Sequence, residues 1–274
     1  MRWLAPDADH IAQLGSAPAE CLSLPATTAI ETGRAAFRSP LLLGGQAARA
    51  GLSCDSCHRN GRGNPAFAFP GISGAPGTAD VTASLFSKTR GDGIGNPKPI
   101  PDLAADPRKI AAADLPGFVT GLIVEEFDGA PPPPAVLAGL VAYLNAIGPA
   151  ACPASARMPV TASATLTDAD RAITAARAAL ASGDKDTAIA MVQAARAQLF
   201  LVDERLPADA RKPVAAADDA LAEALTAIRT QDPAAARRLA AWQAGIPGLT
   251  RKVAAAQPRS LYNPARLSQA LTGH

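Results

Sequence analysis

Cys54, Cys57 and His58 stand together in the phrase CDSCH, and they are the residues of this chain best suited to chemistry. Two thiols three positions apart can add across the two vinyl groups of a haem. A histidine directly after the second thiol then lies under the iron. Two other chemistries use the same residue types. A zinc knuckle needs two further ligands, but Cys21, Cys152, His10 and His274 are single and widely separated. A redox-active dithiol of thioredoxin type sits at a strand-to-helix junction in a βαβ unit, and no such pattern surrounds Cys54. The motif therefore predicts one covalent haem c, with His58 as its first iron ligand.

The other face of the iron is harder to read. A low-spin electron carrier binds Met or His there, and Met raises the potential. Between His58 and Gly148 the chain has neither. Met158 is the expected sixth ligand. His10, Lys88 and Lys98 are further candidates, and an open site is the remaining option. Met191 lies among Ala and Val at helical spacing and reads as core. Pro65 either presents a carbonyl to Nδ1 of His58, the bond that orients a metal-bound histidine, or is an ordinary loop proline. Arg62, Arg90 and Lys88 are candidates for the haem propionates, or belong to a solvated basic loop. Asp92 lacks the alternating acidic neighbours of a calcium loop. If the iron is open to peroxide, Glu125 and Glu126 are the available acid–base groups.

The elements that must hold these residues read as helices. TAIETGRAAFR (28–38) is a short helix stopped by Ser39-Pro40. Residues 44–107 are rich in Gly and Pro, a long irregular stretch whose missing core a buried macrocycle would supply. Helices follow at 112–126 and from Pro134, the second ending at Gly148-Pro149. Residues 1–27 lack periodicity and read as an extended arm, and 152–164 as a linker. From Leu166 the composition shifts to Ala, Arg, Asp and Leu, with helices expected at 167–182, 185–204, 209–230 and 233–256. A weak repeat aligns AALASGDKDTA (178–188) with TAIRTQDPAAA (226–236), which suggests two hairpins stacked as a four-helix bundle. The tail from Arg259 is expected to pack on the surface.

The order GRAAF, GLSCDSCHRNG and LVAYLNAI resembles class I c-type cytochromes. It is more similar still to a single haem domain of the MauG and di-haem cytochrome c peroxidase superfamily, over about residues 28 to 148. The resemblance implies that Gly33 and Phe37 cross the helix bearing Tyr143 and Leu144. Those enzymes carry two CxxCH motifs, whereas this chain has one. It also has no histidine-bearing segment before the last helix of the region. The expectation is an all-α chain with a mono-haem cytochrome c domain at 28–152, followed by an antiparallel helical bundle at 165–274. Its expected function is electron transfer with a redox partner protein. The alternatives are a peroxidase-like enzyme acting on hydrogen peroxide and a haem-based sensor or assembly subunit.

Composition narrows the classes further. Aromatics make up only 4% of the residues, so a core built largely of Ala, Leu, Val and Ile favours close-packed helices. A net charge of +2 implies no nucleic-acid or anionic-membrane surface. No apolar run approaches the ~20 residues of a membrane span, so a soluble chain is expected. Haem attachment to CxxCH takes place on the outer side of the energy-transducing membrane, which implies the periplasm. MRWLAPDADHIAQLG lacks the apolar run of a signal peptide, so a leader removed or a misplaced start is expected. Cys21 and Cys152 flank the haem region and, in an oxidising compartment, are expected to form a disulfide.

Overall fold

Two units, Met1–Met158 and Pro159–His274, divide the chain. The computed structural model describes residues 3–81, 86–105, 110–148, 151–153 and 155–272. Pro107, Pro149 and His274 of the sequence reading lie outside them.

Helix dominates both units, and the described strands form only two small two-stranded sheets. The first unit runs through α1 (His10–Gly15), β1 (Ser16–Pro18), α2 (Thr28–Phe37), α3 (Pro40–Leu43), α4 (Gly45–Arg49) and α5 (Cys54–Cys57). Strands β2 (Thr78–Ala79) and β3 (Lys98–Pro99) then pair antiparallel inside the Gly- and Pro-rich stretch. Helix α6 (Leu115–Gly121) widens into a π turn (Leu122–Glu126), and α7 (Pro134–Ala146) and β4 (Arg157–Pro159) follow. The expected arm is not extended. Asp9 caps α1 by accepting from Ala12 N at 2.9 Å, β1 pairs with β4, and Ala5 N donates to Ala66 O at 2.9 Å. Trp3 packs against Phe69 at a tilt of 56°, with centroids 4.3 Å apart. Apart from the local Asp9 cap, these partners are far off in sequence, so local periodicity carried no trace of them.

The crossing of α2 on α7 organises the unit. Gly33 faces Gly139 so closely that a Cβ on Gly33 would lie 1.9 Å from the Gly139 carbonyl oxygen. Phe37 meets Tyr143 edge-on, with centroids 5.3 Å apart. The implied partners therefore do cross, and Gly139 is the half of the contact that the sequence reading had not named. Cys21 and Cys152 are bridged, with Cα atoms 5.4 Å apart, as expected.

The second unit contains α8 (Ala162–Ala181), α9 (Lys185–Asp203), α10 (Ala208–Arg229) and α11 (Ala235–Ala256), with α12 (Pro264–Thr272) in the tail. Packing runs α8 to α9, α9 to α10, α10 to α11 and α11 back to α8, which closes a four-helix bundle. Helix α8 begins earlier than periodicity indicated, because Thr161 Oγ1 caps Ala164 N at 3.1 Å. Ala169, Ala172, Ala176, Ala188, Ala195 and Ala224 are fully buried, so the helices pack closely. Met191 is buried core as expected. The tail docks by Leu261 N donating to Arg205 O at 2.9 Å.

The repeat holds bond by bond. Ser182 N, Gly183 N and Asp184 N donate to the carbonyls of Ala178, Leu180 and Ala179. Thr230 N, Gln231 N and Asp232 N donate to those of Thr226, Ile228 and Ala227. Both turns need a left-handed residue: Gly183 has φ +79°, and Gln231 takes the same position at φ 57°. Only glycine adopts that region without a steric cost. Replacing Gln231 by Gly is therefore expected to stabilise the bundle by about 0.5–1 kcal/mol. A rise in the urea midpoint of the full chain checks this, and a fall refutes it.

Candidate functional site

Residues 54 and 57 share one face of a single helical turn, because positions three apart are neighbours on a helix. The turn is held at its start by Ser53 N donating to Ser56 Oγ at 3.0 Å. Both cysteines are free. Burial pushes each thiol up to about 12, so at neutral pH both stay protonated. A redox-active dithiol needs the opposite, a thiol pKa lowered toward neutral, and a zinc site binds thiolates. Among the described residues no group of three or more His, Cys, Asp or Glu could hold a metal ion by itself. A haem asks less of the chain: the macrocycle brings four nitrogens, two thiols anchor its edge, and one imidazole completes the near face. Two adjacent thiols and one neutral histidine fit that requirement.

His58 ends the turn with its Nδ1 3.0 Å from the carbonyl oxygen of Pro101. A carbonyl can only accept, so Nδ1 carries the proton and Nε2 keeps its lone pair. Burial lowers the pKa of His58 below its ordinary value, although the Pro101 carbonyl and the charges of Asp55 and Asp102 pull the other way. The ring is thus neutral and in the tautomer that leaves Nε2 free for a metal.

A buried polar network fixes the turn from behind. Asp55, inside the motif, accepts from Asn60 N at 2.7 Å. Asn60 has φ 53°, a left-handed conformation that Asn tolerates better than most residues. Its side chain accepts from Arg38 Nη2 at 2.9 Å and donates to Pro18 O at 2.8 Å. Arg38 in turn donates to Glu20 at 3.0 Å. Glu20 also accepts from Arg34 and from the Tyr143 hydroxyl at 2.7 Å. The α2–α7 crossing and the CDSCH turn are therefore one connected structure.

Several expected site residues have other roles. Pro101, not Pro65, supplies the carbonyl to His58; Pro65 lies instead against Gly77, whose φ of +76° admits the close approach. Arg62 and Arg90, expected at the propionates, pair with carboxylates of the chain. Arg62 forks onto Asp102 through Nε at 2.8 Å and Nη2 at 2.7 Å. Arg90 binds Glu126 at 2.8 Å and also Glu125. Lys88 pairs with Asp128 at 3.1 Å with its side chain 84% exposed, and Lys98 lies exposed on β3. His10 is held by Ala5 O, 2.9 Å from its Nε2. Asp92 Oδ1 accepts from Ile94 N at 2.8 Å in a local turn. Met158 is 40% exposed on β4, its sulfur 4.0 Å from Asn60 Nδ2.

Pro101 and Asp102 were missed because the loop has several prolines and nothing local separates Pro101 from Pro65. The signal available was the acidic residue directly after Pro101 in PIPD. Comparison with protein-family models, with curated proteins and with solved structures finds no match.

Proposed function

We propose that the chain is a c-type cytochrome, carrying one haem c on Cys54 and Cys57 with His58 as axial ligand, and that it passes single electrons between protein partners in the periplasm. The observation that carries this reading is the state of His58. Its Nδ1 proton is committed to Pro101 O at 3.0 Å, so a neutral imidazole offers Nε2 beside two protonated thiols. When bound, haem supplies a one-electron centre whose potential follows its axial ligands and surroundings. The chain's own residues do the rest. Cys54 and Cys57 would hold the haem through thioethers, His58 would supply an axial ligand, and Asp55 with Asn60 holds the turn that carries them. The Cys21–Cys152 bridge supports an oxidising compartment. No helix among the described residues is long and apolar enough to cross a membrane.

A second reading, an enzyme acting on hydrogen peroxide at an iron with an open sixth position, has one observation in its favour. Glu126 ends the π turn with Oε2 buried and without a hydrogen-bond partner, while Oε1 binds Arg90 at 2.8 Å. Desolvation raises its pKa, which Arg90 partly offsets. A carboxyl whose pKa is raised by desolvation is better placed to give or take a proton near neutral pH.

The visible spectrum of the haem-loaded protein, oxidised and reduced, tests both readings. The carrier predicts low-spin iron that ignores added peroxide and CO. A band near ~695 nm identifies methionine as sixth ligand, and Met158→Ala must then remove it. High-spin features with rapid peroxide or CO binding overturn the carrier in favour of the enzyme. A chain that takes up no covalent haem overturns both.

A further inference from the structure

Pro101 has no N–H to anchor it, so the loop around it must aim its carbonyl at His58. That loop is pinned on both sides. Before Pro101, β3 pairs with β2, and Ile100 N donates to Gly77 O at 2.9 Å. After it, Leu103 N donates to Gly61 O at 3.1 Å. Between these ties, Asp102 is gripped by Arg62, only four residues past His58. Arg62 Nε lies 2.8 and 2.9 Å from the two carboxylate oxygens, and Nη2 lies 2.7 Å from Oδ2. Asp102 Oδ1 also accepts from Ala104 N at 2.9 Å, which sets the curvature of the loop. The remaining arm of Arg62, Nη1, lies 2.9 Å from Cys21 Sγ in the disulfide.

Arg62 is itself only 7% exposed. A fork of this kind fixes direction as well as distance, which a lysine ammonium cannot do. The guanidinium thus links three parts of the unit: the turn bearing His58, the loop bearing Pro101, and the disulfide.

We propose that Arg62 and Asp102 are positioning residues for His58: their ion pair holds the Pro101 carbonyl against Nδ1 and so fixes the tautomer and ring orientation of the axial ligand. This rests on the cytochrome reading for its purpose but not for its geometry. In the haem-loaded protein the Nδ1 bond makes the imidazole a stronger donor to iron. Loosening the clamp raises the reduction potential, because a weaker donor stabilises the oxidised iron less.

The test uses the full chain and three variants, Asp102→Ala, Asp102→Asn and Arg62→Lys, with far-UV circular dichroism to establish that each is folded. The first readout needs no haem: imidazole 15N shifts of His58. The wild-type ring is expected to be neutral with its proton on Nδ1. Asp102→Ala is expected to move it to a mixture of the two tautomers. Asp102→Asn keeps an acceptor for Ala104 N and one guanidinium donor, so it is expected to fall between the two. Arg62→Lys retains charge without the fork and is expected to resemble Asp102→Ala. The second readout is the midpoint potential after haem attachment, expected to shift positive in the same order. A purely structural ion pair would lower the melting temperature without moving either readout, and that result overturns the proposal. If the wild-type chain takes no haem, the cytochrome reading fails, while the 15N shifts still decide the clamp.

Discussion

The double variant Cys54→Ala, Cys57→Ala is expected to lose all covalently held haem, whereas the wild-type chain keeps one through denaturation and acidic organic extraction. Intact-mass measurement of the two chains, expressed side by side with a cytochrome c maturation system, reads this directly as a one-haem difference. The expectation follows from geometry and from elimination together. The two thiols lie on one face of a single helical turn next to a neutral His58, and the only other cysteines, Cys21 and Cys152, are bridged to each other. Each single variant is expected to retain haem through one thioether at lower yield, because the remaining thiol still borders His58. A wild-type chain found at the mass of its bare polypeptide, like the double variant, would remove the cytochrome reading altogether. The stability of the first unit should fall with haem loss as well. Apart from the one-turn helix α5, the described residues between 50 and 105 have only a short 3-10 turn and the two-residue strands β2 and β3 as regular structure. They depend on side-chain contacts such as Phe69 on Phe86, with centroids 5.3 Å apart. A bound macrocycle adds apolar surface to a region short of it.

The second large effect concerns a residue that touches no candidate ligand. Gly33→Ala is expected to destabilise the first unit by roughly 3 kcal/mol or more, at or beyond the upper end of what overpacking usually costs. The added Cβ would sit 1.9 Å from the Gly139 carbonyl oxygen, 2.3 Å from its carbon and 2.7 Å from Leu140 N. All three are backbone atoms of α7, so no rotamer change can relieve the clash; the helices must separate. Separation would pull Phe37 off Tyr143 and stretch the 2.7 Å bond from the Tyr143 hydroxyl to Glu20. The buried charges of Glu20, Arg34 and Arg38 would then lose part of their compensation, which is costly in a low-dielectric interior. Because Arg38 also reaches Asn60 behind the CDSCH turn, haem loading should fall along with the thermal midpoint. Gly139→Ala, with its nearest backbone contacts at 2.8 and 2.9 Å, should show the same effect in weaker form. Unchanged thermal midpoints in both variants would mean that the crossing is not what organises the unit.

Much of this was written in local pattern. The CDSCH spacing is what points to the proposed haem attachment, because that chemistry needs residues adjacent along the chain. The four bundle helices were legible from Ala-rich periodicity, and the two turns from SGD and TQDP, since helix stops depend on nearest neighbours. Gly33 and Tyr143 were legible only through resemblance to a family, which supplied the long-range pairing that periodicity lacks. The arm was misread as extended because its order comes from Ala66, Phe67 and β4, remote segments that compensate its weak local preference.

The sequence by itself determined which atoms can react: two thiols and an imidazole in a fixed order, with no Met or His between residues 58 and 148 to complete the far side of an iron. Only the tertiary structure decided the state of those atoms. It desolvated the half-buried thiols and so pushed them up to about 12, chose Pro101 over Pro65 as the partner of His58, and paired Arg62 and Arg90 with carboxylates of the chain. The physical reason is that reactivity depends on desolvation and hydrogen-bond direction. Both are set by segments that meet only when the chain closes, and residue types at a given spacing do not record them.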